Sequence, residues 1–235
     1  MVITRAADQA GPLVDKLIAL GARPIVVPLI EIVQPADGGS ALTAALGRLS
    51  VFDWLVFTSL NGASRAAGAL AALAREVALP RIAAVGSATA AALGQPADLV
   101  PSDQIAEALT EAFPVGSGDV LVVQAETARS DVAGGLRAKG WRVEVVAAYR
   151  TVPVRPSAAT LIGVLSADAV LFASGSAVAA WAGVFGAQTP PVAVAIGPAT
   201  AAVATQHGLK IDAIATDHSL DGLISSLLRY FGGSD

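Results

Sequence analysis

Phe52-Asp53-Trp54-Leu55-Val56-Phe57-Thr58-Ser59 returns 115 residues later as Ala167-Asp168-Ala169-Val170-Leu171-Phe172-Ala173-Ser174. In both copies an aspartate precedes an unbroken apolar run, and a serine closes it. A run of that kind lacks the alternation of a half-solvated strand. It reads as a strand buried on both faces, as in a parallel sheet.

Two more blocks repeat around this one. Ala84-Val85-Gly86-Ser87-Ala88-Thr89-Ala90 matches Ala195-Ile196-Gly197-Pro198-Ala199-Thr200-Ala201 at an offset of 111, and 21–28 resembles 140–147 at an offset of 119. Offsets that drift by a few residues are what loop insertions and deletions produce. The period is far too long for a solenoid. The chain therefore reads as two halves of similar fold.

Apolar runs of strand length at 2–4, 22–28, 54–58, 82–85, 120–124, 143–148, 169–173 and 192–196 alternate with Ala/Leu-rich stretches at 9–20, 62–74, 89–93, 131–139 and 220–230. This alternation implies an α/β architecture: two similar domains, each a parallel sheet flanked by helices, flavodoxin-like or Rossmann-like. The stretches 28–35 and 147–153 are extended and bounded by Pro, a residue that favours edges and linkers. They occupy equivalent points of the repeat. A two-stranded linker is expected near 30–37 and 147–155, with one discontinuous domain of 1–35 plus 149–235 and a second of 36–148.

With 54% hydrophobic and 14% charged residues among 235, the chain has ample material for two cores. No apolar stretch reaches the ~18 residues of a membrane span, so no membrane partner is expected. The opening Met1-Val2-Ile3-Thr4-Arg5 reads as a strand and not as a secretory signal, which makes the cytoplasm the expected location. The absence of Cys excludes disulfides and thiolate chemistry. A net charge of −4 lacks the basic footprint of nucleic-acid binding. It also offers no global attraction for an anion, so an anion site must be built locally.

Four loops put small polar residues where a strand ends and a helix begins: Thr58-Ser59-Leu60-Asn61-Gly62, Gly86-Ser87-Ala88-Thr89, Ser174-Gly175-Ser176 and Gly197-Pro198-Ala199-Thr200. Ligands of open parallel sheets bind at that edge, and helix N-termini there attract carboxylates or phosphates. Each loop is equally consistent with ordinary helix capping. Arg5, just after the first strand, points to bidentate carboxylate binding or to a solvated surface position. Tyr149 lies in the second linker stretch, as a packed residue or as one facing a ligand.

Other chemistries lack their motifs. There is no G-x-G-x-x-G after a strand, no G-x-x-x-x-G-K-[ST] and no G-x-S-x-G. The two histidines, His207 and His218, have no metal-ligand spacing, so no metal and no cofactor are expected. Asp53 and Asp168 precede their strands and suit turn or capping roles.

Taken in order, these residues resemble the uroporphyrinogen-III synthase family. The resemblance rests on Thr4-Arg5, on Val27-Pro28-Leu29-Ile30-Glu31-Ile32, and above all on Asp53-Trp54-Leu55-Val56-Phe57-Thr58-Ser59-Leu60-Asn61-Gly62. It continues through Val85-Gly86-x-x-Thr89, Pro101 with Glu107-Ala108-Leu109, and Tyr149-Arg150-Thr151-x-Pro153. The second half adds Leu171-Phe172-x-Ser174-x-Ser176, Ile196-Gly197-Pro198-x-Thr200 and Ser219-x-x-Gly222-Leu223. Ala63 stands in place of the family's usual Val, Ala173 echoes Thr58 without its hydroxyl, and the turn at 93–98 is shorter than usual.

The resemblance implies a cofactor-free enzyme of tetrapyrrole biosynthesis. Its substrate is the linear, polycarboxylate hydroxymethylbilane, which arrives from hydroxymethylbilane synthase and is bound between two α/β domains of a monomer. It further implies that Arg5, Ser59, Asn61, Gly62, Gly86, Thr89, Ser174, Ser176, Gly197 and Thr200 bind the substrate. Tyr149 would hydrogen-bond the departing hydroxyl. The reading from another functional class is a non-catalytic two-domain binder of small anions.

Overall fold

The computed structural model describes residues 1–128 and 131–232. Their elements are, in chain order, β1 (Val2–Ile3), α1 (Gly11–Ala19), β2 (Ile25–Val26), β3 (Ile30–Val33), α2 (Ser40–Leu46), β4 (Trp54–Phe57), α3 (Leu60–Leu73), β5 (Arg81–Ala84), α4 (Ser87–Leu93) and α5 (Ala106–Ala112). There follow β6 (Asp119–Ala125), α6 (Val132–Ala138), β7 (Arg142–Pro153), α7 (Ala158–Leu161), β8 (Ala169–Phe172), α8 (Gly175–Phe185), β9 (Val192–Ala195), α9 (Pro198–Gln206), β10 (Ala213–Ile214) and α10 (Leu220–Gly232).

The chain divides into two compact units, Met1–Glu31 with Thr151–Asp235, and Ile32–Arg150. Each holds a five-stranded sheet, in the orders β10-β9-β8-β1-β2 and β3-β7-β6-β4-β5. β1, β2, β8, β9 and β10 run parallel, as do β4 to β7. The repeated runs are central in both. Trp54 pairs with Val120 on one side and Arg81 on the other, while Val170 pairs with Val2 and Ala193.

The apolar runs dictate this layering. Every residue of β4, β8 and β9 is buried, so each sheet needs helices on both faces. In the first unit Val2, Val170, Phe172 and Ala193 pack with α8 and α9 through Val178, Trp181, Val203 and Ala204. On its other face Ile3, Leu171 and Val194 pack with α1 and α10 through Leu13, Leu17, Leu223 and Leu227. In the second unit Leu55, Phe57, Leu121 and Val123 meet Leu42, Ala66 and Leu70. Its reverse face sets Trp54, Val56 and Val122 against Leu109, Phe113 and Leu136.

Two strand edges depart from the sequence-based expectation. Residues 30–33, expected only as an extended linker, form β3 at the edge of the second sheet, next to β7. β7 is a 12-residue strand that carries the chain from one unit to the other. Leu29 carbonyl oxygen accepts from Val154 N–H at 2.8 Å just beyond it. The short β10 has no apolar run to announce it. A carboxylate holds it in place: Asp212 Oδ2 accepts from Ala193 N–H at 2.9 Å.

The second unit repeats this device at the same point. Asp98 Oδ2 accepts from Ile82 N–H at 2.7 Å, and Leu99 bridges in parallel to Ala83. In each unit the preceding helix ends at a left-handed glycine, Gly94 (φ +64°) and Gly208 (φ +73°), a conformation that side chains other than glycine's resist. The internal repeat thus extends through the fourth helix and its return strand. Asp53 plays the turn role expected of it, its carboxylate accepting from Asp119 N–H at 2.9 Å.

Trp181 is fully buried, lies edge-on to Phe172 with centroids 5.6 Å apart, and donates from Nε1 to Gln188 carbonyl oxygen at 2.8 Å. Trp181→Ala removes that packing and leaves a carbonyl unpaired. A loss of about 3–5 kcal/mol is expected from large-to-small core changes, measurable as a lower urea midpoint for the first unit. An unchanged midpoint would contradict the packing described.

Candidate functional site

In a parallel sheet all strands deliver the chain to the same edge. Helix-opening loops therefore collect along the C-terminal edge of each unit's sheet. In the first unit that edge carries Thr4-Arg5 after β1, Ser174-Gly175-Ser176 after β8, and Gly197 to Thr200 after β9. In the second it carries Thr58 to Gly62 after β4 and Gly86 to Thr89 after β5.

The serines are caps. Ser59 Oγ accepts from Gly62 N–H at 3.2 Å, and Ser174 Oγ accepts from Ala177 N–H at 3.2 Å. Both sit in extended backbone ahead of a helix, with nearly identical φ and ψ (−162° and 151°; −165° and 153°). The repeat seen in the sequence is thus a repeat of helix-start geometry. Asn61 and Ser176 lie in the first turns of α3 and α8, both half-buried. Gly62 packs tightly, since a Cβ there would lie 3.3 Å from Ser59 Oγ and 3.5 Å from Val123 Cγ1.

Thr89 and Thr200 occupy matching places in α4 and α9, at 4% and 5% exposure. At this burial they belong to the floor under the loops, whose exposed rim is Ser87 and Ala88 in one unit and Pro198 and Ala199 in the other. Gly86 and Gly197 open these helices from extended backbone. The space over each is filled by a side chain from the loop before the following helix. Over Gly86 it is Gln104, whose Oε1 accepts from Ser87 N–H at 2.9 Å. Over Gly197 it is His218. Sequence reading missed Gln104 and His218. Aligning Gly94, Asp98 and Leu109 with Gly208, Asp212 and Leu223, a common offset of 114, would have placed them together.

Arg5 is the charged group of the first edge. Thr4 ahead of it is fully buried and donates from Oγ1 to Leu171 carbonyl oxygen at 3.1 Å, which fixes the end of β1. Arg5 itself is half-buried; Nη2 reaches Gln9 Oε1 only at 3.5 Å, and Nε is buried without a partner. Desolvation by burial lowers its pKa from the ordinary guanidinium value, and the Asp8 carboxylate partly offsets this. A guanidinium stays charged under such a shift. It is a desolvated cation with an unused donor.

Tyr149 lies within β7, where the pairing with β6 slips. Gln124 pairs with Ala147, but Ala125 pairs with Tyr149, leaving Ala148 as an extra residue. Strict alternation would put Tyr149 on the face of Ala147. The bulge turns it to the face of Val146 and Ala148, and all three join one core cluster. Tyr149 is 8% exposed. Its carbonyl oxygen accepts from Glu126 N–H at 2.8 Å, and Ala36 N–H donates to Glu126 Oε1 at 2.7 Å. Tyr149 therefore sits at the C-terminal end of β6, on the same sheet edge as the Ser59 and Gly86 loops.

His207 is exposed and His218 half-buried. Among the described residues no group of His, Cys, Asp and Glu is placed to hold a metal ion, and no helix is long and apolar enough to cross a membrane.

The fold has solved counterparts. It resembles uroporphyrinogen III synthase of the extremely thermophilic bacterium Thermus thermophilus, in a crystal structure of a mutant, with a TM-score of 0.65 and 19% identity, covering 98% of both chains. It also resembles uroporphyrinogen-III synthetase of Helicobacter pylori 26695, with a TM-score of 0.59 and 18% identity over 87% of this chain and 92% of that one. By sequence, a uroporphyrinogen-III synthase of Synechococcus elongatus is 36% identical over 159 residues, 64% of this chain and 60% of that protein. A porphyrin biosynthesis protein HemD of Ruminiclostridium josui is 34% identical over 160 residues, 64% of this chain and 32% of that protein. The match thus spans between a third and three fifths of these curated relatives. The features of the uroporphyrinogen-III synthase HemD family match residues 11–225, across both units, and the chain belongs to that family.

Proposed function

We propose that the chain is a cyclising hydro-lyase of the cytoplasm that converts hydroxymethylbilane to uroporphyrinogen III. The terminal hydroxyl takes up a proton and leaves as water, and the substituted α-carbon of ring D attacks the resulting cation to give a spiro intermediate. The bond from that carbon to the methylene of ring C then breaks. The methylene rebonds to the free α-carbon of ring D, which loses its proton, so that the ring is inverted. Family membership supports this reading. The observation that carries it is Arg5: a desolvated guanidinium with an unpartnered Nε, held at a ligand-binding sheet edge in a chain of net charge −4. Such a group asks for a carboxylate, and the linear tetrapyrrole carries many.

In this proposal Arg5 takes one carboxylate, and the loops of Ser59, Asn61 and Gly62, of Gly86 and Thr89, of Ser174 and Ser176, and of Gly197 and Thr200 take others through amides and hydroxyls. The pyrrole nitrogens supply the electron push that expels the hydroxyl. The protein's task is then to hold one folded arrangement of the chain and to offer dipoles to a transient cation. Tyr149, turned by the bulge at Ala148, donates from its hydroxyl to the departing hydroxyl. Hydroxymethylbilane synthase supplies the substrate, and no cofactor is required.

Incubation with enzymatically generated hydroxymethylbilane, followed by chromatographic separation of the type I and type III isomers, tests the reading. Type III product is expected. Type I alone, formed at the spontaneous rate, would refute it and favour a non-catalytic anion binder.

Two variants separate the roles. Arg5→Gln deletes a charged hydrogen bond worth about 1.5–3 kcal/mol, so KM should rise by about ten- to a hundredfold while kcat holds. Tyr149→Phe should act the other way. Losing a donor to the leaving group lowers kcat by about one to two orders of magnitude, with KM little changed, and the product drifts toward type I. Wild-type rate and isomer ratio in Tyr149→Phe would make Tyr149 a packing residue only.

A further inference from the structure

The two units share one structural slot and fill it with different chemistry. Gln104 and His218 each stand two residues before a helix, α5 and α10, and six residues after the aspartate that ties the return strand to its sheet. Each lies over the glycine that opens the preceding helix. A Cβ on Gly86 would collide with Gln104 Oε1, and one on Gly197 would lie 2.9 Å from His218 Cδ2 and 3.2 Å from Nε2.

In the second unit the acceptor of the slot residue is engaged. Gln104 Oε1 accepts from both Ser87 N–H at 2.9 Å and Ser87 Oγ–H at 3.1 Å. In the first unit Pro198 occupies the position of Ser87 and has neither an N–H nor a hydroxyl to offer. The contact that occupies Gln104 has no counterpart, and among the described residues the His218 ring makes no hydrogen bond. The loop holding it is braced: Ser219 Oγ donates to Asp217 Oδ2 at 2.5 Å and accepts from Gly222 N–H at 3.0 Å. A half-buried imidazole on a braced loop, with no hydrogen bond to the described residues, therefore stands beside the loop of Gly197 and Thr200.

We propose that His218 is a substrate-binding residue, its ring N–H donating to a carboxylate of the linear tetrapyrrole. The inference rests on the reaction proposed above and assigns a ligand role to a side chain outside the loops already named. The imidazole, and not the α9 terminus, is the group assigned. The first unit would thus present two side-chain N–H donors, Arg5 and His218, on one sheet edge, while Gln104 in the second unit gives its acceptor to Ser87.

Steady-state kinetics on the full chain with hydroxymethylbilane generated in situ tests this. His218→Phe keeps a ring over Gly197 but removes the donor. It should raise KM on the order of tenfold, as for a lost hydrogen bond to a charged group, with kcat unchanged, the signature of lost uniform binding. His218→Gln keeps a donor and should recover most of the affinity, which a purely packing role does not predict. His218→Leu, a second donor-free variant, should match His218→Phe. A wild-type KM in His218→Phe or His218→Leu overturns the assignment and leaves the reaction standing. No type III product from the unaltered chain overturns the reaction, and the assignment with it.

Discussion

Strands buried on both faces govern this protein. β4, β8 and β9 expose no residue, so their hydrogen-bonded edges and both apolar faces must be covered by the same chain. Parallel pairing with crossover helices is the arrangement that does so, because each return passes over a face of the sheet. It also sorts the loops: β1, β2 and β8 to β10 run one way, as do β4 to β7, so the loops that follow them collect on one edge of each sheet. The chemistry of the candidate site follows from a packing requirement. Ser59, Gly86, Ser174 and Gly197 share a setting because each follows a strand of a parallel sheet and opens a covering helix.

How much of this is legible in sequence depends on the length of the signal. The central strands carry four apolar residues and repeat, and they appear where the runs are. β10 is two residues long and owes its position to the Asp212 carboxylate, which no periodicity reports. α2 and α5, seven residues each, are not among the helical stretches read from the sequence. β3 reads as linker because Pro28 and Pro35 bound it; its strand character comes from pairing with β7. The bulge at Ala148 is invisible for a further reason. It sets the direction of Tyr149 through a one-residue slip in register, and register is a property of two strands together.

The site was legible in part, and the limits are physical. Capping residues announce helix starts, so Ser59 and Ser174 are found by type and position. Thr89 and Thr200 are found the same way, yet they prove almost fully buried, because the third residue of a helix opening at a sheet edge faces the sheet. Gln104 and His218 escape because they cover glycines distant in sequence. The carboxylates of Asp98 and Asp212, with backbone bonds beside them, tie the segments that lead into those loops to the strands.

Electrostatics set the remaining constraint. In the proposed reaction a chain of net charge −4 cannot rely on its overall field to draw in a polyanion, so the attraction must come from a few groups held where water is scarce. Burying a charge costs free energy unless it is paired, and Arg5 accepts that cost without a full set of partners. Thr4 fixes the point from which the side chain leaves the sheet, since its hydroxyl anchors the end of β1 to Leu171. An arrangement of this kind persists in a fold only where the rest of the packing over-determines it, and here two buried cluster faces do so. The same logic separates the two units. Where the slot residue is Gln104 its acceptor takes Ser87 N–H; where Pro198 offers no N–H, His218 fills the slot over Gly197 without that bond.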